Sequence, residues 1–260
     1  MPSSETILFT QQGGIARLLL NKPGRMNALD PQMLETIEIS LAEWEKRGDV
    51  VVLVVGSTHE RSFCAGADLA VLAAMDERRM QDWEMLGNRV LDRLQNSPLI
   101  SIAAISGPAL GGGLTLAAAC DFRIAGDNAS FAQPEIELGW MPGWGGVARL
   151  ARLVGACRAK ELSMTGRRID SSLALAMGLI NEAVPAADLD SRVTEFASAL
   201  EGRSPAALRT IKALADASFP LPPAVSHRLD ALANASFLHD PRGQAAIARF
   251  LSRRSGKGSA

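Results

Sequence analysis

Three consecutive glycines, Gly111, Gly112 and Gly113, stand where an apolar, β-branched run meets an Ala/Leu-rich one. Leu99 to Ile105 reads as a buried strand, Ser106-Gly107-Pro108 as a turn, and Leu114 to Cys120 as a buried helix. Glycines at a helix start cost chain entropy, which makes sense where backbone must approach something closely with its N–H groups exposed. The first turn of a helix offers unpaired N–H donors and partial positive charge. Such a place suits the stabilisation of an oxyanion. A bare glycine run also suits a turn that only lets a helix pack tightly on a strand, so the other residues must discriminate.

Several chemistries are disfavoured by composition. The chain has no tyrosine, so no tyrosine can serve as acid or oxyanion donor. The three histidines, His59, His227 and His239, lie far apart in sequence and give little support to a His-based triad or a metal site. Cys64, Cys120 and Cys157 have no metal-ligand spacing and sit in apolar or Ala/Gly contexts. No metal site and no disulfide framework are expected, and the compartment is expected to be reducing. Formal net charge is −1, and basic residues stay dispersed until Arg249, Arg253, Arg254 and Lys257. No nucleic-acid partner is expected. The start, MPSSETILFT, lacks a basic segment followed by an apolar one, and no apolar run reaches transmembrane length. The expectation is a cytoplasmic protein with no membrane partner.

The elements that must position the glycine turn follow from periodicity. At 260 residues, 47% of them apolar, the chain can bury one large core with a small appendage. Thr6–Thr10 and Ile15–Asn21 read as a hairpin across Gly13-Gly14. Asp30-Pro31 predicts a helix start, with helix to about Lys46. Val50–Val55 is a continuous apolar run that fits a strand buried on both faces. Asp68 reads as the cap of a long helical region reaching Asn96. Asp121–Ala125 predicts a short strand, and 129–137 an extended or looped segment broken by Pro134. The turn Pro142–Gly146 precedes helices to Leu153 and over 156–164. Ser171 reads as the cap of a helix to Met177, and Ile180–Val184 as a last strand. The remainder reads as helices over 186–201, 205–217, 222–238 and 243–254. Residues 1–200 are therefore expected to form the core and 201–260 a helical C-terminal region.

Six stretches together resemble the crotonase family, the enoyl-CoA hydratase/isomerase superfamily. They are NKPGRMNAL (21–29), FCAGADL (63–69), GPALGGGLTLAAACD (107–121), FAQPEIELGWMPGWGG (131–146), SMTGRRID (163–170) and ALAMGLINEAV (174–184), in the family's order. The resemblance implies an α/β fold, a spiral of ββα turns, with a helical C-terminal trimerisation region. It also implies a homotrimer, or a dimer of trimers, acting on an acyl-CoA thioester. No cofactor is implied, coenzyme A being part of the substrate.

By motif, the N–H groups of Ala67 and Gly112 match the pair that holds the thioester oxygen as it becomes an enolate. Arg25 falls where the family often has a basic residue near the CoA phosphates, and the Ala65 carbonyl where it contacts adenine. Gly66, Asp68, Pro134, Gly143 and Trp144 belong to the same binding motifs. Family hydratases use two glutamates, one two positions after the triple glycine and one in Gln-Pro-Glu. Here the first is Thr115, which cannot act as a base near neutral pH, and the second is Glu135. A single carboxylate with an oxyanion hole suffices to shift a double bond from Δ3 to Δ2, so the resemblance points first to an enoyl-CoA isomerase with Glu135 as proton shuttle. Hydration, decarboxylation of a malonyl-type CoA, and a non-catalytic acyl-CoA-binding scaffold stand as alternatives. Asp82, Glu84 and Glu137 read mainly as solvated charges, although an extended segment would put Glu137 on one face with Glu135. Trp83, Trp140 and Trp144 read first as core packing and second as walls of an acyl pocket.

Overall fold

The computed structural model describes residues 5–217, 223–237, 241–245 and 247–248. The chain divides into two compact units, Met1–Ser198 and Ala199–Ala260. The first begins with β1 (Ile7–Gln12) and β2 (Ile15–Leu20), antiparallel across a turn in which Gly13 takes φ 58°. Along β2, Ala16, Leu18 and Leu20 alternate inward. α1 (Pro31–Arg47) is capped by Asp30, whose carboxylate accepts the Met33 N–H, and it stops at Gly48 with φ 69°. β3 (Val52–Ser57) starts two residues later than its apolar run predicts and is buried over all but its last residue.

The long helical region predicted from Asp68 is two helices. Asp68 caps only α2 (Leu69–Leu72), and a second aspartate, Asp76, caps α3 (Glu77–Asn96) by accepting the Arg79 N–H. Two cap-forming side chains eight positions apart split one periodic run in two. Beyond α3 come β4 (Ile100–Ile105), β5 (Ala109–Leu110), α4 (Gly112–Ala118), β6 (Phe122–Gly126) and β7 (Ser130–Ala132). A 3-10 turn, Pro134–Leu138, follows. The segment around Glu135 is thus not extended, and Glu137 does not share a face with it.

α5 (Gly146–Thr165) contains a break at Gly155, φ 79° and ψ 157°, so it acts as the two helices that the sequence predicts. β8 (Ile169–Asp170) and α6 (Ser171–Ala176) are next. The cap of α6 is Asp170 rather than Ser171: its carboxylate accepts the Leu173 N–H, while the Ser171 hydroxyl turns to the Asp127 carbonyl. β9 (Glu182–Val184) and α7 (Leu189–Glu201) complete the element order of this region. The second unit contains α8 (Pro205–Ala217) and α9 (Pro223–Phe237). Most of the predicted last helix, and the basic residues Arg249, Arg253, Arg254 and Lys257, lie outside the described residues.

Among the described residues, the main sheet has the order β1-β2-β3-β4-β6-β9, parallel from β2 onward. A small sheet, β5-β7-β8, sets Ala109 opposite Phe131 and Phe131 opposite Ile169. This second sheet fixes the site, because β5 leads straight into α4 and β7 straight into the 3-10 turn of Glu135. Arg123 anchors the far end of α4. Its side chain is buried and donates to the carbonyls of Cys120 (2.6 Å) and Leu179 (2.7 Å). A cation at the C-terminal carbonyls of a helix is favourable, which offsets the cost of its burial.

Candidate active site

The loop after β3 is pinned from two sides. From one side, Ala65 N–H donates to the Met26 carbonyl (3.0 Å), Leu29 N–H to Gly66 (2.7 Å) and Asp68 N–H to Leu29 (2.8 Å). From the other, Cys64 N–H donates to Pro108 (3.1 Å) and Leu110 N–H to Cys64 (2.9 Å). The bridge between Leu29 and Ala67 uses the Gly66 carbonyl and the Asp68 N–H, so it leaves the Ala67 N–H out of the ladder. Gly66 lies at φ +99°, and a Cβ there would stand 2.8 Å from the Leu110 carbonyl oxygen and 3.3 Å from the Gly112 nitrogen. The Gly66–Ala67 backbone and the start of α4 are therefore in contact. Gly112 opens α4, so its N–H has no acceptor within the helix. With only seven residues, α4 has a short dipole.

Asn27 holds this arrangement from beneath. It is fully buried at φ 57°, and its amide donates to the Ser57 hydroxyl (2.7 Å) and the Phe63 carbonyl (3.0 Å) while accepting the Lys22 N–H (2.8 Å). The Lys22 ammonium bridges Asp30 (2.8 Å) and Asp68 (2.9 Å). The Lys22 hydrogen bond holds the Asp68 carboxyl below the ordinary range. Asp68 is thus occupied with its cap and its ion pair. Arg25 is exposed at the end of the 3-10 turn Pro23–Arg25, on the loop that carries Met26 and Asn27, and Ala65 is half-buried.

Each glycine of the triplet answers to a different neighbour. Gly111 takes φ +51°, and a Cβ there would stand 2.7 Å from Glu135 Oε1. At Gly112 a Cβ would meet Cζ3 of the Trp144 ring at 2.6 Å, and at Gly113 the Cys64 carbonyl oxygen at 2.3 Å. Real Cβ contacts of these lengths do not occur, so the turn admits Glu135, Trp144 and the loop after β3 only because three side chains are missing.

Pro134 opens the turn that delivers Glu135, and the Glu135 carbonyl accepts the Trp140 N–H at 3.0 Å. The carboxylate is half-buried, with Oε2 enclosed and without a hydrogen-bond partner. Burial pushes its carboxyl above the usual glutamate range; a bond from its own N–H opposes this and the negative Glu84 adds to it. Thr115 is buried, and its hydroxyl donates back to the Gly111 carbonyl at 3.3 Å. At the position where family hydratases carry a glutamate, a hydroxyl turned onto its own helix stands instead. Glu137 lies beside Gly166, where a Cβ would be 3.3 Å from its Oε1.

Trp144 sits at φ 55° with its indole wedged between α4 and α3. A Cβ on Gly87 would meet its Nε1 at 2.1 Å, and Trp83 packs edge-on at 4.9 Å and 67°. Its N–H donates to Glu84 Oε2 (3.2 Å) and its carbonyl accepts Arg149 Nε (3.3 Å). Beyond it a groove of about 960 Å³ is lined by Met80, Glu84, Asn88, Trp140, Met141 and Trp144. Glu84 is therefore not a solvated helix charge. Its spacing gave a usable signal: Met80, Trp83, Glu84, Gly87 and Leu91 fall on one face of α3 once Asp76 is taken as the cap. Asn27 offered no comparable signal.

Comparison with known proteins bears on this geometry. The family model described as enoyl-CoA hydratase/isomerase matches residues 10–257. The chain belongs to the enoyl-CoA hydratase/isomerase family. Among its family relatives, a short-chain-enoyl-CoA hydratase of Clostridium acetobutylicum is 36% identical over 206 residues, covering 79% of each chain. A crotonyl-CoA hydratase of Syntrophomonas wolfei is 36% identical over 212 residues, covering 82% of each. Among solved structures, the fold is similar to an enoyl-CoA hydratase from Bacillus anthracis, with a TM-score of 0.91 at 31% identity over 95% of this chain and 96% of that one. The α/β fold is thus the crotonase fold, with the helical C-terminal region present. No group of three or more His, Cys, Asp or Glu side chains suited to a metal occurs among the described residues, and no helix among them is long and apolar enough to cross a membrane.

Proposed function

We propose that this family member shifts the double bond of an enoyl-CoA, with Glu135 as the proton shuttle. Glu135 takes a proton from Cα of a 3-enoyl-CoA. The electron pair moves into the thioester carbonyl, giving a dienolate whose oxygen lies between the Ala67 and Gly112 N–H groups. The same carboxyl returns the proton to Cγ and the product is the 2-enoyl-CoA. The observation that carries this reading is one half-buried carboxylate beside Gly111 whose enclosed Oε2 has no hydrogen-bond partner, with Thr115 back-bonded to the Gly111 carbonyl. An unpaired donor pair aimed at developing charge is worth about 3–4 kcal/mol of barrier per donor. A raised carboxyl pKa brings the base closer to working pH.

On this reading Arg25 meets the CoA phosphates and the Ala65 carbonyl meets the adenine, while Gly66, Pro134 and Gly143 shape the backbone around the thioester and the working form is a homotrimer or a dimer of trimers. Coenzyme A enters with the substrate, and the reading needs no further cofactor. Hydration is the second reading, favoured by the names of the Clostridium and Syntrophomonas relatives.

The test is incubation with a 3-enoyl-CoA in deuterated water, following label by mass and the double bond by its absorbance. Wild type is expected to incorporate deuterium and yield the 2-enoyl product, with Glu135→Gln slower by about 10²- to 10⁴-fold. A 3-hydroxyacyl product formed at a comparable rate would favour hydration. Binding without exchange in either protein would reject the proton-shuttle reading.

A further inference from the structure

Glu84 works harder than a surface glutamate. Its carboxylate is half-buried, and a Cβ on Gly143 would meet both its oxygens, at 2.6 and 2.7 Å. Oε2 accepts the Trp144 N–H at 3.2 Å. Trp144 needs such support, since a left-handed backbone costs a non-glycine residue about 1–2 kcal/mol. Its carbonyl is held by Arg149, whose guanidinium also engages Gln95 and Asp92. α3 therefore clamps Trp144 at both ends, through Glu84 directly and through Arg149 at one remove.

The groups around Glu135 leave Glu84 as its charged neighbour. The turn into α4 presents Gly111 and the uncharged Thr115. The turn of Glu135 itself carries Glu137, which lies beside Gly166. α5 presents Arg149, committed to Trp144, Gln95 and Asp92. α3 presents Glu84, whose charge acts on Glu135. A like charge nearby disfavours ionisation of the more buried carboxylate.

We propose that Glu84 is a second functional carboxylate of this site, a positioning residue that fixes the Trp144 wall beside the oxyanion donors and acts on Glu135 through its negative charge. The inference rests on the enolate reading above. Glu84 supplies this charge from α3, outside the turn that carries Gly111 and Thr115. It does not touch the substrate; it makes Glu135 a stronger base and keeps the indole against Gly112.

The test is the pH dependence of kcat/KM for 3-enoyl-CoA isomerisation in wild type, Glu84→Gln and Glu84→Asp. Glutamine keeps an oxygen to accept the Trp144 N–H and removes the charge. Its acid limb is expected about half to one pH unit lower, with kcat about 2- to 10-fold down and KM within about twofold. Aspartate keeps the charge and draws the acceptor back, so its limb stays in place while KM rises. A wild-type limb in Glu84→Gln overturns the inference. Should that variant fail to fold, Glu84→Asp decides: a displaced limb with unchanged KM overturns it. Glu135→Gln is run alongside. If it turns over like wild type, the functional reading falls and this inference with it; if it is inactive while Glu84→Gln keeps the wild-type profile, only this inference falls.

Discussion

At the scale of single residues, Glu135 trades stability for reactivity. Its carboxyl is raised mainly by burial, so the folded state binds the proton more tightly than the unfolded chain does. Stability then falls as pH rises from the unfolded glutamate value, about 4.3, through the folded one, and at neutral pH the ionised side chain is a net cost. Glu135→Gln removes that cost. The variant is expected to melt above wild type at pH 7 and level with it near pH 4, read by thermal denaturation at both values. A rise of about 2–4 °C would correspond to roughly 1 kcal/mol in a chain of this size. A lower Tm at pH 7 would show the carboxylate to be satisfied in the folded state.

At the scale of elements, α3 and the Pro142–Gly146 turn form one device. Trp144→Gly deletes a buried indole, which alone costs about 3–5 kcal/mol, but it also releases a left-handed backbone, which returns about 1–2 kcal/mol. The expected net loss is about 1–4 kcal/mol in denaturant titration. Space opens between Gly112 and Gly87, so bulkier acyl-CoA substrates should gain in kcat/KM relative to crotonyl-sized ones. An unchanged preference across a series of acyl lengths would mean that the indole walls no part of the acyl pocket. Much at this scale was legible beforehand. Asp30, the β-branched runs and the triple glycine announce their elements through local chemistry. The break between α2 and α3 was missed because periodicity runs across it and only Asp76 marks it. The pairing of Glu84 with Trp144 was out of reach for another reason: the partners are sixty positions apart in sequence, and no local preference carries that information. Glu135 is legible through its motif, whereas the unpartnered state of its Oε2 is visible only with the fold.

At the scale of the whole molecule, the thiols report how tightly the chain closes. Cys64 is buried in the loop after β3, where its thiol donates to the Asn27 carbonyl and burial pushes its pKa up to about 12. Cys120 is buried near the end of α4, and Cys157 is exposed on α5. Titration of the native protein with an aromatic disulfide should consume one thiol per chain quickly and three after denaturation; a fast second equivalent would reveal opening around α4. The position of Trp144 has an optical consequence. With four tryptophans and no tyrosine, the intrinsic emission of the chain is indole emission alone. Trp44 is sealed against Phe9, Trp140 is partly open to water, and Trp83 and Trp144 form a coupled pair beside Gly112. An occupant entering beside Gly112 must change the surroundings of that pair, so on the proposed reading the protein carries a built-in fluorophore beside its thioester site, and acyl-CoA occupancy can be followed as quenching or a spectral shift without any attached dye.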